Sequence, residues 1–216
     1  MLIIFDYDGT LHNTAKLYAN AVRGAYSLLV QKGFAENKYY SDEHLSKYLG
    51  FTAKDMWDDF MPDLPCNLKE LSAKIVGENM INGIKNGEAS LYDGVPEMLD
   101  NLKKYCRLVI LSNCDERYMN AHREYFWLDK WFDDYYTAEK YDNLPKELII
   151  PKIKESYPND DYIVIGDRLS DFTAAQKNGI QCIGCTYGFG TAQEYVDCDF
   201  TVDSPSKISS VFASFF

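Results

Sequence analysis

Short apolar runs alternate with amphipathic stretches along most of the chain. Runs at 2–5, 107–111, 162–165 and 181–185 have the length and composition of buried strands, and a short aromatic run lies near Tyr135. Apolar residues at helical spacing fill the intervals between these runs. This alternation predicts an α/β fold in which a parallel sheet is covered by helices on both faces, so that the fold has three layers.

Residues 14–89 differ, because they show helical patterns and no strand pattern. The predicted helices begin at Thr14, Ser41, Thr52 and Asn67, and three of them end near Gly33, Gly50 and Gly87. We therefore expect an all-helical cap domain at 14–89, inserted into a core domain formed by 1–13 and 90–216. A segment that leaves and re-enters at the carboxyl edge of a parallel sheet is placed to close over a ligand there. An insertion without that role is the alternative.

Composition and charge narrow the class of protein. The chain has 216 residues, 46% of them hydrophobic, which suffices for one sizeable core or a core with a small second module. A formal net charge of −11 argues against nucleic acid or an anionic membrane as a partner. No apolar run approaches the ~20 residues of a membrane span, and the first run is too short for a signal peptide. We expect a cytoplasmic protein that acts as a monomer or homodimer.

The six cysteines form no recognisable metal-binding pattern. Cys182 and Cys185 have a C-x-x-C spacing, but they lie in a predicted buried strand, and no second cysteine pair or histidine cluster completes a zinc site. We interpret both as core residues. Three scattered histidines are interpreted as structural or surface residues: His12, His44 and His122.

Two pairs of acidic residues follow two of the predicted strands. Asp6 and Asp8 come directly after the first strand and point to the same side of an extended segment. Asp167 and Asp171 follow a later strand, with Asp171 in the first turn of the next helix and Ser170 as its expected N-cap. Like charges this close need a cation between them or a bound proton. Because ligands bind outside the carboxyl ends of parallel strands, both pairs are expected at one site.

Ser112 and Asn113 end the strand at 107–111 and supply hydrogen-bonding groups at the same edge of the sheet. Together with the acidic pairs they resemble the haloacid dehalogenase superfamily, in the branch of the phosphoglycolate-phosphatase-like phosphatases. The four matching motifs are Asp6-Tyr7-Asp8-Gly9-Thr10-Leu11, Ser112-Asn113, a lysine best placed at Lys146, and Gly166-Asp167-Arg168-Leu169-Ser170-Asp171. The resemblance implies a Rossmann-like core with a helical cap, and a Mg²⁺-dependent phosphatase acting on a small phosphorylated metabolite.

The resemblance also implies catalytic roles. Asp6 is the expected nucleophile, which forms an aspartyl-phosphate. Asp8 is the expected acid, which protonates the leaving alcohol and then activates water. Lys146 is expected to offset the charge on the phosphoryl oxygens. The competing lysines are Lys140, Lys152 and Lys154.

Metal and phosphate ligands are implied in the same way. Mg²⁺ prefers oxygen ligands, so Asp6, Asp167 and the backbone carbonyl of Asp8 are expected to bind it. Asp171 is expected to hold a water on the ion or to orient Lys146. The residues expected to bind the phosphate oxygens are Gly9, Ser112, Asn113 and Lys146.

Other functions remain open at this point. A sugar phosphomutase of the same superfamily keeps both acids of the first motif. A dehalogenase or phosphonate hydrolase is disfavoured, because those branches replace the second acid, which is Asp8 here. A non-catalytic protein that binds a phosphorylated metabolite is the alternative from a different class. The sequence does not distinguish phosphoglycolate from a nucleotide or a sugar phosphate as the substrate.

Overall fold

The computed structural model describes residues 1–49 and 51–212. The chain divides into two compact units: Met1–Asn13 together with the described residues from Ser90 onwards, and Thr14–Ala89. We refer to them as the sheet unit and the helical unit. Within the described residues, no helix combines the length and the apolar composition that crossing a bilayer requires.

The helical unit contains four helices among its described residues. They are α1 (Thr14–Gln31), α2 (Asp42–Ser46), α3 (Ala53–Phe60) and α4 (Cys66–Lys85). Its core includes Val22, Leu45 and Trp57, none of which is more than 1% exposed. Apolar residues at helical spacing on several short helices thus bury one another.

Two of the predicted helix starts are confirmed by side-chain caps. Ser41 accepts a hydrogen bond from the N–H of His44, and Thr52 accepts one from the N–H of Asp55. Each bond satisfies a backbone donor that the first turn of a helix leaves without a partner. The predicted helix end near Gly50 lies outside the described residues.

The predicted start of α1 at Thr14 is confirmed, although Thr14 is the first residue of the helix and not its cap. The predicted start of α4 at Asn67 is slightly late, because the helix begins at Cys66. The carbonyl of Pro65 already accepts the N–H of Lys69, so the first turn forms before Asn67 can act as a cap. Proline suits this position because it has no N–H to satisfy and its φ is fixed.

The sheet unit is built on one parallel sheet. Its strands are β1 (Leu2–Phe5), β2 (Arg107–Ser112), β3 (Asp134–Thr137), β4 (Tyr162–Gly166), β5 (Gln181–Cys185) and β6 (Phe200–Val202). They lie in the order β3-β2-β1-β4-β5-β6, and every neighbouring pair is parallel. This confirms the predicted Rossmann-like α/β fold. Of the six strands in the described part of the chain, β6 alone was not predicted, because it has three residues and both Phe200 and Thr201 are exposed.

Helices connect and cover these strands. They are α5 (Val95–Leu102), α6 (Glu116–Phe126), α7 (Lys146–Ser156), α8 (Leu169–Lys177) and α9 (Pro205–Phe212). The prediction that Ser170 caps α8 is wrong, because Ser170 lies inside the helix. The N–H of Arg168, at the cap position, instead donates to Oδ2 of Asp171 at 3.0 Å. An acid at the third helical position can satisfy the cap amide in this way.

The core of the sheet unit holds the strands and helices in place, and so determines where the loops after the strands lie. All four residues of β1 are buried, as expected for a strand covered on both faces. Ile4 and Val164 on the sheet pack in one cluster with Ile153 of α7 and Phe172 of α8. The strand order reverses at β1, between β2 and β4. A ligand crevice is expected outside the carboxyl ends of the strands at such a reversal.

Candidate active site

Three buried carboxylates converge at the carboxyl ends of β1 and β4. Asp6 directly follows β1, Asp167 directly follows β4, and Asp171 lies in the first turn of α8. One oxygen of each lies within 4.8 Å of the others. Their exposed fractions are 8%, 0% and 1%, respectively. Burial of three acids together requires a compensating positive charge or a bound proton.

Lys146 supplies one such charge. It is the first residue of α7, and Ile149 and Ile153 fix that helix in the core beside the sheet. The ammonium Nζ lies 2.5 Å from Oδ1 of Asp6 and 2.6 Å from Oδ1 of Asp171. Lys152, a competing candidate on the same helix, is exposed instead. The structure therefore brings Lys146 to the three carboxylates.

The pKa values of these groups reflect burial and crowding. Burial, together with the charges of Asp171 and Asp167, raises the pKa of Asp6 well above its usual range. Burial and Asp171 raise the pKa of Asp167 to about 6. Burial lowers the pKa of Lys146, but the charges of Asp171 and Asp6 outweigh it, so the net shift is upward and Lys146 stays an ammonium.

The donor set at this site fits a divalent cation. One ammonium cannot neutralise three carboxylates, and Lys146 is the cation that contacts Asp6 and Asp171. All three acidic ligands offer oxygen atoms within 4.8 Å of one another. Mg²⁺ prefers oxygen ligands and is bound by a few carboxylates, with water in its other positions. The residues present therefore suit Mg²⁺.

A glycine-containing loop after β5 holds Asp167 in place. The N–H of Phe189 donates to Oδ2 of Asp167 at 2.7 Å, and the hydroxyl of Thr10 donates to Oδ1 at 3.3 Å. Gly9 has a φ of +87°, and a Cβ on it would lie 2.3 Å from Oδ2 of Asp167. A Cβ on Gly188 would lie 2.4 Å from the Cβ of Asp167. Only glycine allows both backbone segments to approach this carboxylate so closely.

The carboxylate of Asp8 has different surroundings. Its Oδ1 accepts a hydrogen bond of 2.8 Å from the hydroxyl of Tyr118 and lies 3.0 Å from Nδ1 of His12. The Asp8 side chain is 30% exposed, whereas the His12 side chain is fully buried. Among the described residues, the group of carboxylates that could hold a metal contains Asp6 but not the side chain of Asp8.

Sequence reasoning did not single out Tyr118, and it interpreted His12 and His122 as structural or surface residues. The structure buries all three: Tyr118 and His12 contact Asp8, and His122 packs against both of them. The available signal was the spacing of Asp8 and His12, which is four residues. No local pattern indicated that the first turn of α6 would carry Tyr118 to the same place.

The predicted phosphate ligands occupy the neighbouring strand end. Ser112 is the last residue of β2 and is buried, and its Oγ accepts the N–H of Cys114 at 3.3 Å. Asn113 is exposed. The N–H of Gly9 donates to the carbonyl of His12 at 2.9 Å, so this amide is engaged within its own loop. Phosphate binding by these residues stays a prediction.

The six-stranded parallel sheet and the acids and lysine at its carboxyl edge define a Rossmann-like hydrolase core. The sequence matches the haloacid dehalogenase-like hydrolase family over residues 3–185, and the chain belongs to that family. It is 30% identical over 111 residues to a 5′-nucleotidase from Pseudomonas aeruginosa, and the match covers 50% of each chain. The chain thus matches about half the length of that relative.

Solved structures share the fold over nearly the whole chain. A protein described as a predicted phosphoglycolate phosphatase from Haemophilus somnus has a TM-score of 0.82 at 20% identity, covering 98% of this chain and 97% of its own. A protein described as a predicted phosphatase from Clostridium acetobutylicum has a TM-score of 0.77 at 26% identity. The match covers 99% of this chain and 98% of that protein.

Proposed function

We propose that this protein is a Mg²⁺-dependent phosphatase that hydrolyses a small phosphomonoester through an aspartyl-phosphate on Asp6. The observation that carries the proposal is the position of Lys146, bound to both Asp6 and Asp171 within a group of three buried carboxylates. The similarity to a 5′-nucleotidase and to a protein described as a phosphatase supports the same reaction class.

In the first half-reaction, an Oδ atom of Asp6 attacks the phosphorus. The bond between phosphorus and the alcohol oxygen breaks, and Asp8 gives its proton to that oxygen. A Mg²⁺ ion held by Asp6, Asp167 and the backbone carbonyl of Asp8 would supply positive charge to the phosphoryl oxygens. Lys146 adds a fixed positive charge and, through Asp171, keeps the Asp6 carboxylate in one orientation. Such positioning and charge supply most of the rate enhancement in phosphoryl transfer.

In the second half-reaction, Asp8 acts in the opposite direction. It takes a proton from water as the water oxygen bonds to phosphorus. The bond between Asp6 and phosphorus then breaks, which regenerates the Asp6 carboxylate and releases inorganic phosphate. Asp8 is again protonated and ready for the next turnover. Ser112 and Asn113 are assigned to the remaining phosphate oxygens, because Ser112 ends the strand next to β1 and Asn113 follows it.

We assign the choice of substrate to the helical unit, as the cap of the enzyme. The proposed ligands in the sheet unit bind phosphate and metal, which all phosphomonoester substrates share. Phosphoglycolate, a nucleotide and a sugar phosphate are the substrate classes to compare. We further propose that the enzyme is cytoplasmic and acts as a monomer or homodimer.

A panel of these phosphomonoesters, assayed for released phosphate with and without Mg²⁺, tests the proposal. We expect turnover only with Mg²⁺, and its loss in Asp6→Asn, because an amide is a poor nucleophile of nearly the same shape. Asp161→Asn is the matched control, since Asp161 is exposed at the opposite end of β4. Full activity in excess chelator would contradict the proposal, and so would an isomerised product without free phosphate.

A further inference from the structure

A hydrogen-bonded triangle surrounds Oδ1 of Asp8. The hydroxyl of Tyr118 is 2.8 Å from this oxygen, and Nδ1 of His12 is 3.0 Å from it. The Tyr118 hydroxyl and His12 Nδ1 are themselves 3.3 Å apart. We refer to Tyr118 and His12 as the Asp8 clamp. Since a carboxylate only accepts hydrogen bonds, both clamp residues donate to the same oxygen when Asp8 is ionised.

Both clamp residues are fixed by their own backbone. Tyr118 lies in the first turn of α6, where its N–H donates to Oδ1 of the cap residue Asp115 at 2.7 Å. The N–H of His12 donates to the carbonyl of Tyr7 at 2.9 Å. Tyr118 is 6% exposed and His12 is fully buried. A partly exposed acid is therefore held by two buried and rigid side chains.

His122 packs against both rings of the clamp. Its ring centroid lies 4.4 Å from that of His12 and 4.5 Å from that of Tyr118. Burial, with a contribution from His12, lowers the pKa of His122 to about 2, so this ring stays neutral. Phe126 stacks on His122 at 5.8 Å. The clamp is thus supported from behind by packed rings.

We infer that Tyr118 and His12 are positioning residues that hold Asp8 for proton transfer to and from the substrate. The inference rests on the proposed function. In the first half-reaction the proton of the Asp8 carboxyl group goes to the leaving oxygen as the bond from that oxygen to phosphorus breaks. In the second, the Asp8 carboxylate receives a proton from the attacking water.

Rigid placement matters here because a general acid acts only at hydrogen-bond distance from the atom it protonates. A side chain of two rotatable bonds that is 30% exposed would otherwise sample several orientations. The alternative is that Asp8 merely satisfies two buried polar groups, which need a partner in any case. The two interpretations predict different kinetics. If the clamp positions Asp8, its removal should slow hydrolysis most for substrates whose leaving group needs a proton.

Two aryl phosphates with leaving groups of different basicity distinguish the two interpretations. Phenyl phosphate has a leaving group that needs protonation, whereas the leaving group of 2,4-dinitrophenyl phosphate is stable as an anion. We would measure kcat/KM for both with Mg²⁺ in Tyr118→Phe, His12→Phe and the double variant. The value for phenyl phosphate is expected to fall by roughly tenfold or more, part of the 10²–10⁴ that a general acid contributes. The value for 2,4-dinitrophenyl phosphate should change by less than about twofold.

Tyr7→Phe is the matched control. Tyr7 lies in the same ring cluster, 4.9 Å from His122 between centroids, and its buried hydroxyl has no hydrogen-bond partner among the described residues. Removing that hydroxyl should leave both kcat/KM values unchanged. In the double variant, the two effects on phenyl phosphate should combine to less than their product, because both residues act through Asp8.

Hydrolysis of 2,4-dinitrophenyl phosphate also reports that each variant is folded with Asp6 and its surroundings intact. An equal fall on both substrates, or no fall on phenyl phosphate, would overturn the clamp. Asp8→Asn separates this result from a failure of the proposed function. If Asp8→Asn shows the selective loss and the clamp variants do not, only the clamp is overturned. If Asp8→Asn shows no selective loss, Asp8 is not the acid and both proposals fail.

Discussion

Nζ of Lys146 lies 2.5 Å from Oδ1 of Asp6, although 140 residues separate them in the chain. The contact forms because α7 begins at Lys146 and β1 ends just before Asp6, at the same edge of the sheet. Lys146 is 4% exposed, so its charge is little screened by water. Lys146 thus keeps a positive charge next to the Asp6 carboxylate, which we propose as the nucleophile.

Lys146→Met should therefore reduce kcat by roughly 10²-fold or more, since it removes one of the fixed charges that stabilise the transition state. The change is close to isosteric, but it leaves Asp6 and Asp171 without their cation. Lys152→Met is the control, because Lys152 is exposed on the same helix. Steady-state kinetics of the two variants would decide the point. Equal activities would show that the lysine contributes nothing to the reaction.

The raised pKa of Asp167 predicts a pH-dependent stability of the metal-free protein. Its pKa is about 6 in the folded state and about 3.9 in an unfolded chain. The folded state therefore binds the proton more tightly, and this contribution to stability is lost as the pH rises through about 6. Asp167→Asn should raise the melting temperature relative to the parent more at about pH 7.5 than at about pH 5.

Thermal unfolding in excess chelator at both pH values measures this difference. Asp161→Asn, which changes an exposed acid just before β4, is the control for the loss of one carboxylate. If the Asp167→Asn shift were independent of pH, burial would not penalise the charged form of Asp167.

The loop after β5 should control metal affinity. Gly188→Ala would place a Cβ 2.4 Å from the Cβ of Asp167, so the loop must move and weaken the bond from the N–H of Phe189. Changes to groups that orient a metal ligand typically cost about 10–100-fold in affinity or activity. We expect the Mg²⁺ concentration for half-maximal activity to rise by about tenfold or more.

Gly77→Ala in α4 is the control, since a Cβ there would meet no atom within 4 Å. Alanine favours a helix over glycine by about 1 kcal/mol, so this variant should be at least as stable as the parent. A Mg²⁺ requirement unchanged in Gly188→Ala would show that the loop does not position Asp167 for the ion.

The helical unit should determine the ranking of substrates. Alanine substitutions at its exposed aromatic residues, such as Tyr39 and Phe51, are the first set to test. Some of them should change the ratio of kcat/KM values across the phosphomonoester panel while leaving hydrolysis of an aryl phosphate nearly unchanged. If every exposed position in the unit scaled all substrates equally, the unit would not select the substrate.

The strand pattern was enough to predict the edge of the sheet at which the site lies. Asp6 and Asp167 each follow an apolar run, and the carboxyl ends of parallel strands meet where the strand order reverses. The pattern could not rank Lys146 above its competitors, because the contact depends on where α7 starts relative to β1. The resemblance to a family made that choice, and the structure places Lys146 beside Asp6 and Asp171.

Tyr118 and His12 could not be predicted, for a physical reason. Their meeting at Asp8 depends on the rotation of α6 about its axis and on the path of a short turn. Neither leaves a periodic signature in the sequence. Strand β6 was not predicted for a related reason. It has three residues, and because Phe200 and Thr201 are both exposed, the segment shows no apolar alternation.

Trapping of the phosphorylated intermediate tests the central claim most directly. The Mg²⁺-loaded enzyme would be mixed with a substrate from the panel, quenched in acid and reduced with borohydride, which converts an aspartyl-phosphate to homoserine. Peptide mass spectrometry then locates the modified residue. We predict homoserine at position 6, dependent on substrate and Mg²⁺ and absent from Asp6→Asn. Homoserine at another aspartate, or none during active turnover, would contradict the assignment of Asp6 as the nucleophile.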